Sequence, residues 1–319
     1  MDDPLIWVRA LHFASTMAVA GAIFFVGYVA EPSFRAVNDH DRVASLIRSR
    51  LAVITWAALA LAVLTGLAWL VLLAARMGDD VPLMDVVSEG VLGTVLAATD
   101  FGWDWILRLI LGGLLAGTLV WQQRSISSDR AGTAVIVLAA GLAGTLAWAG
   151  HAAANSGVQG SVHLFADVLH LLAAAAWIGA LIPLAVLLRT VRAHEDEGSV
   201  MVARGAVLRF STLGVASVGT LVVTGAVNSW MLVGSLSGLI RTGYGQLLSV
   251  KLGLFVLMLS IAAVNRLWLT PRVTGELKAL DSRRSLGHIE RNTLIEVSVG
   301  ALIIFIVAVL GTMPPGVAE

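Results

Sequence analysis

The chain has 319 residues, of which 58% are hydrophobic and 13% charged, with no Cys and a formal net charge of zero. Soluble domains run at about 45–50% apolar and about 25% charged, so this composition marks an integral membrane protein seated in a lipid bilayer, and the apolar runs taken below make it all-α. Zero net charge excludes a nucleic-acid partner, and the missing Cys excludes disulfides, thiolate metal sites, c-type haem attachment and a cysteine nucleophile.

The N-terminal Met1-Asp2-Asp3-Pro4 lacks the basic flank of a cleavable signal, and the apolar run from Leu5 to Ala30 is too long for one, so a retained first span is expected. At about 20 apolar residues per crossing, seven more follow. They are Leu51 to Ala75, Trp103 to Trp121, Ala131 to Gly150, Val162 to Leu188, Val207 to Val233, Leu247 to Leu269, and Thr293 to Thr312. The prediction is one bundle of eight transmembrane helices over residues 1–319, with no separate soluble domain. Sixteen of the 21 Lys and Arg residues, all but Arg9, Arg76, Arg108, Arg241 and Lys251, fall in or at the border of the connections after the first, third, fifth and seventh spans. The positive-inside rule then puts both termini on the outer, periplasmic side. Arg9, Arg108 and Lys251, near outer span ends, are read as snorkelling to the headgroups; Glu296, near the inner end of the last span, reads as snorkelling too, with part of an inner exit as the alternative. The connection from Arg76 to Gly102 reads as a solvated acidic loop. Gly113 and Gly117, at GxxxG spacing, read as a close helix contact.

No GxxxxGK[ST] loop is present, so ATP-driven transport by this chain alone is not expected, and no catalytic constellation marks it as an enzyme. What stands out is the fifth span. His163, Asp167 and His170 sit at i, i+4 and i+7, a single stripe on a helix, inside a segment where ionisable groups are costly and face a protein interior. His170 lies roughly 15 Å from the outer end at about 1.5 Å per residue, near mid-bilayer. His12 lies roughly 10 Å into the first span on the same rule, and His151 closes the fourth span at the outer surface. Imidazole and carboxylate suit Cu, Zn, Ni or Fe, with copper(II) the tightest binder among the divalent ions. The residues also admit plainer readings. His163 and Asp167 pair with each other at the interface; His12 bonds to a neighbouring helix; His151 is interfacial; Met17 packs rather than binding copper(I). Asn228 and Trp230 fit a polar lining and an interfacial anchor equally well. His40, His194 and His288 fall among charged residues of the inner connections and read as surface histidines.

GHAAA at 150–154, the HxxxDxxHLLAAAAWIGAL run at 163–181, TGAVNSW at 224–230 and the YGQLLSVKLGLF...NR pattern at 244–266 resemble the CopD family of bacterial inner-membrane copper resistance proteins. The resemblance covers nearly the whole chain and is densest over residues 150–271. It implies copper transport between periplasm and cytoplasm, with uptake the usual direction, often beside the periplasmic copper carrier CopC. The family's metal-binding histidines map to His151, His163 and His170, with Asp167, and to His12. The chain departs from the broader pattern in two ways: no periplasmic copper-binding domain is fused to either end, and no Met-rich or His-rich outer segment is present. A separate copper donor is therefore expected. Two rival readings use the same residues. One is a b-type haem electron-transfer protein with His axial ligands, disfavoured because no inner-half span carries a histidine; the other is a copper-binding sensor or scaffold without transport.

Overall fold

The structure is a computed structural model describing residues 3–36, 42–78, 81–124, 129–150, 157–194, 197–274 and 279–316. With no water in the bilayer core to satisfy backbone N–H and C=O groups, long apolar segments must close their hydrogen bonds within themselves, and all eight predicted spans are helices. They are α1 (Pro4–Arg35), α2 (Arg42–Met77), α3 (Asp100–Gln123), α4 (Gly132–Ala149), α5 (Gly157–Arg192), α6 (Glu197–Val233), α7 (Gly243–Val273) and α8 (Arg284–Leu310), each long and apolar enough to cross a membrane. The starts are locally encoded. Asp3 caps α1 by accepting from the Leu5 N–H at 2.9 Å, with Pro4 in the first turn, and Thr242 caps α7 by accepting from the Gly245 N–H at 2.9 Å. Asp3 also pairs with Arg76 at the end of α2 (2.6 Å), which holds its carboxyl below the usual carboxylate range.

Several helices run past the predicted spans. α2 starts at Arg42 rather than Leu51 and α6 at Glu197 rather than Val207, so each exceeds 50 Å at about 1.5 Å per residue. The extensions form a second apolar core on the side opposite the termini, where Val43, Ile47, Leu187, Val191, Val202, Leu286 and Ile289 pack together. The first core lies toward the termini, around Met17, Ala20, Leu146, Ala174, Trp177 and Leu221.

α1 and α5 are the most buried helices of the eight. α1 packs against α2, α4, α5 and α8, and α5 against α1, α4, α6 and α8. Their crossing is backbone on backbone. A Cβ on Gly21 would lie 2.2 Å from the Gly179 carbonyl carbon, and one on Gly179 would lie 2.1 Å from the Met17 carbonyl oxygen. The α5 side of this crossing is a π-helical turn, Ala175–Gly179; similar turns occupy Val26–Ala30 and Asn265–Leu269. Gly113 and Gly117 do not form the close contact their spacing suggested, for a Cβ on either meets nothing within 4 Å. The connection after α2 is also more than a solvated loop. Val86 and Val95, the latter on a short helix at Val91–Ala98, pack onto Ala74 and Ala75.

Candidate metal centre

A cavity of about 450 Å³ opens between α1, α5, α6, α7 and α8, in the half of the bundle that carries both termini. Each helix contributes one stripe: Arg9, Phe13 and Met17 from α1; His163, Asp167 and His170 from α5; Leu221, Gly225, Asn228 and Leu232 from α6; Tyr244, Leu248 and Lys251 from α7; Ile303, Val307 and Leu310 from α8. These spacings of three and four are neighbours on one helical face. The predicted α5 stripe thus faces a single protein-lined space, with His163 only 1% exposed.

The hydrogen bonds fix how the stripe presents itself. The Thr224 hydroxyl donates its one proton to the Thr220 carbonyl at 2.7 Å and stands 3.0 Å from His170 Nδ1. His170 must therefore donate from Nδ1, which leaves the Nε2 lone pair as the coordinating position. Asp167 Oδ1 accepts from the Asn228 amide at 3.0 Å. Arg9 donates to the carbonyls of Gly311 (2.9 Å) and Ala149 (3.0 Å), tying the ends of α4 and α8 to α1. The cavity therefore sets one carboxylate against two basic groups, Arg9 and Lys251. Among the described residues no three His, Asp or Glu side chains draw together into a closed metal cluster. The arrangement is an open chamber with two imidazoles on one wall.

The other predicted residues separate. His12 does not line this chamber. It is 5% exposed, its ring centroid is 5.5 Å from each of Trp69 and Trp105, and its Nδ1 is 3.0 Å from the Ala62 carbonyl. That carbonyl only accepts, so Nδ1 donates, and Nε2, buried beside the two indole rings, has no hydrogen-bond partner among the described residues. His151 lies outside the described residues; Gly150, just before it, lines the chamber. Met17 lines the chamber although His12 does not, and Asn228 is lining while Trp230 is 67% exposed.

The snorkelling expectation is corrected for three groups. Arg9 is turned inward by the two carbonyls it serves. Arg108 is 4% exposed, pairs with Asp104 at 2.7 Å and donates to the Thr145 carbonyl at 2.8 Å. Glu296 is 2% exposed and accepts from the Asn265 amide at 2.8 Å. Lys251, the other residue read that way, lines the chamber. Burial of such groups is tolerated only where each finds a partner, and here neighbouring helices supply them. The sequence reading also missed Tyr244 and Thr224. Tyr244, Leu248 and Lys251 repeat the i, i+4, i+7 spacing of the α5 stripe, and that was the available signal.

Sequence comparison decides the family. A model described as Copper resistance protein D-like, N-terminal domain, matches residues 1–161, and one described as Copper resistance protein D matches residues 204–310. The chain is 30% identical over 318 residues to Copper resistance protein D of Pseudomonas syringae pv. tomato, spanning 99% of this chain and 98% of that one. The chain belongs to the copper resistance protein D family. It is also 27% identical over 313 residues to Inner membrane protein YebZ of Escherichia coli (97% of this chain, 98% of that one). Copper transport protein CutJ of Bacillus subtilis is 32% identical over 201 residues, 62% of this chain and 36% of that one. No solved structure matches. The two copper resistance protein D models flank residues 162–203, so His163, Asp167 and His170 sit between them and are reached by the full-length alignment.

Proposed function

We propose that this multi-pass inner-membrane protein serves copper homeostasis and resistance by carrying copper ions from periplasm to cytoplasm, and that the ion pauses in the chamber between His163 and His170. The observation that carries the reading is the α5 stripe facing one protein-lined chamber, with the His170 Nε2 lone pair left available by its bond to Thr224. Asp167 offsets the charge of the entering cation against Arg9 and Lys251. His151 is kept as a further ligand from its place in the sequence alone, directly after the lining residue Gly150, and His12, packed against Trp69 and Trp105, stands outside the chamber. Residues 1–319 act as one transmembrane unit with both termini and the chamber on the periplasmic side, since the basic residues concentrate in the opposite connections. A gradient supplies the driving force, and a periplasmic carrier of the CopC kind delivers the ion. The relatives' names are those of copper resistance and copper transport proteins rather than enzymes, in keeping with transport.

The test is metal analysis, copper and iron together, on protein purified in detergent from copper-supplemented cells. One or two coppers per chain is the expected result. Iron in that ratio with a haem band, and little copper, overturns the reading in favour of axial haem ligands. A finer check is Thr224→Val, which keeps the shape but removes the hydroxyl that sets the His170 tautomer. Copper affinity should fall about 10–100-fold, the usual loss for a group that orients a metal ligand, in competition titrations against a chelator.

A further inference from the structure

A second cavity, about 230 Å³ in volume, lies in the other half of the bundle and is walled by the same four helices that form most of the first. α5 contributes Ile178 to the first and Leu184 to the second; α6 contributes Leu221 and then Val218; α7, Phe255 and then Leu259; α8, Ile303 and then Glu296. The two chambers are therefore stacked end to end along one axis. Between them stands an edge-to-face pair, Trp177 against Phe255, with centroids 6.2 Å apart and planes at 84°. Trp177, 1% exposed, sits on the π-helical turn Ala175–Gly179, and the second chamber is bordered by another, Asn265–Leu269. π-helical turns inside α-helices mark functional sites more often than chance.

The second chamber is chemically unlike the first. No imidazole or sulfur lines it, so it offers nothing to a soft metal ion. Its polar centre is a relay across α7 and α8: the Asn292 amide donates to Asn265 Oδ1 at 2.8 Å, and the Asn265 amide donates to Glu296 Oε1 at 2.8 Å. No ion pair to Glu296 occurs among the described residues. From α5 and α6 the lining brings no charged group toward it, and from α7 it brings Arg266, whose guanidinium donates to the carbonyl (3.1 Å) and hydroxyl (2.6 Å) of Ser211. A carboxylate buried in this way, with an amide donor but no such ion pair, is neutralised most simply by a proton.

We propose that Glu296 is a proton-binding site, exchanging H⁺ with water of the second chamber, and that its occupancy couples a proton gradient to passage of the cation past the Trp177–Phe255 barrier. The coupling half rests on the copper-transport reading; the proton site does not.

The experiment is infrared difference spectroscopy of the full chain in lipid nanodiscs without copper, while pH is stepped between about 5 and 9, a range that covers shifted buried carboxyls. The expected result is a protonated-carboxyl C=O band that bleaches as pH rises, is absent from Glu296→Gln and persists in Asp167→Asn. Asn265→Val, which removes the donor but not the acid, should move that band to higher wavenumber. No band sensitive to Glu296→Gln at any pH, or a band displaced at fixed pH by Na⁺, K⁺ or Cu⁺, overturns the proton site. In liposomes under an imposed pH gradient, copper flux should follow the gradient in wild type and lose that response in Glu296→Gln, with copper binding unchanged. A mutant flux that still follows the gradient overturns the coupling. A wild type that binds no copper overturns the copper reading and leaves the infrared result to decide the proton site.

Discussion

Replacing His163 and His170 together by alanine is expected to remove copper from the purified protein and to abolish copper-dependent accumulation in cells, with the protein made at its normal level. The size of the effect follows from what remains. Asp167 keeps one oxygen on Asn228, and Arg9 and Lys251 still repel a cation from the same walls, so no other strong donor is left on the α5 stripe. The loss should exceed the roughly 10–100-fold expected when only the group behind a ligand is removed. Folding should survive the His170 change, because that ring borders a space already open and the Thr224 hydroxyl retains its bond to Thr220. Copper per chain after desalting, read beside an unchanged gel-filtration profile, decides the matter. Copper retained at the wild-type ratio would place the ion elsewhere.

How much of this could be read beforehand divides along a physical line. Depth in the membrane is written locally, because an apolar run of about 20 residues sets its own boundaries, and all eight spans were legible for that reason. Facing is not written locally. Arg9, Lys251 and Glu296 each have the depth of a snorkelling residue, and only the carbonyls, amide or open chamber presented by neighbouring helices turn them inward; Arg108 pairs with Asp104 on its own helix and takes the Thr145 carbonyl from a neighbour. The α5 stripe was legible because its polar residues all lie on one helix at helical spacing. Whether His12 joined it depended on how α1 rotates against α5, and α1 turns Arg9 and Met17 to the chamber while His12 faces Trp69 and Trp105. The long starts of α2 and α6 were hidden because their packing is made outside the apolar spans, α2 against the end of α5 and α6 against the ends of α1 and α5.

Glycine spacing was the least informative signal, and it leads to the second large effect. Gly21→Ala and Gly179→Ala, separately, are expected to deplete folded protein from the membrane, whereas Gly113→Ala with Gly117→Ala should leave stability unchanged or slightly raised. A methyl on Gly21 meets the Gly179 carbonyl carbon at 2.2 Å and the Ala175 carbonyl oxygen at 2.5 Å; one on Gly179 meets the Met17 carbonyl oxygen at 2.1 Å. These obstacles are backbone, so no rotamer change relieves them and α1 must move away from α5. Overpacking of a core costs about 1–3 kcal/mol when side chains can adjust, and separating the two most buried helices should cost more. At Gly113 and Gly117 the added methyls enter open space, and Ala is favoured over Gly in a helix by about 1 kcal/mol. Thermal melting by fluorescence-detected gel filtration separates the two cases. Because Met17, Ala174 and Ile178 line the first chamber beside this crossing, any Gly21→Ala protein that does fold should also bind copper more weakly. If it melts and binds copper as the wild type does, the two backbones do not meet there, and the wall that holds the α5 stripe is set by some other contact.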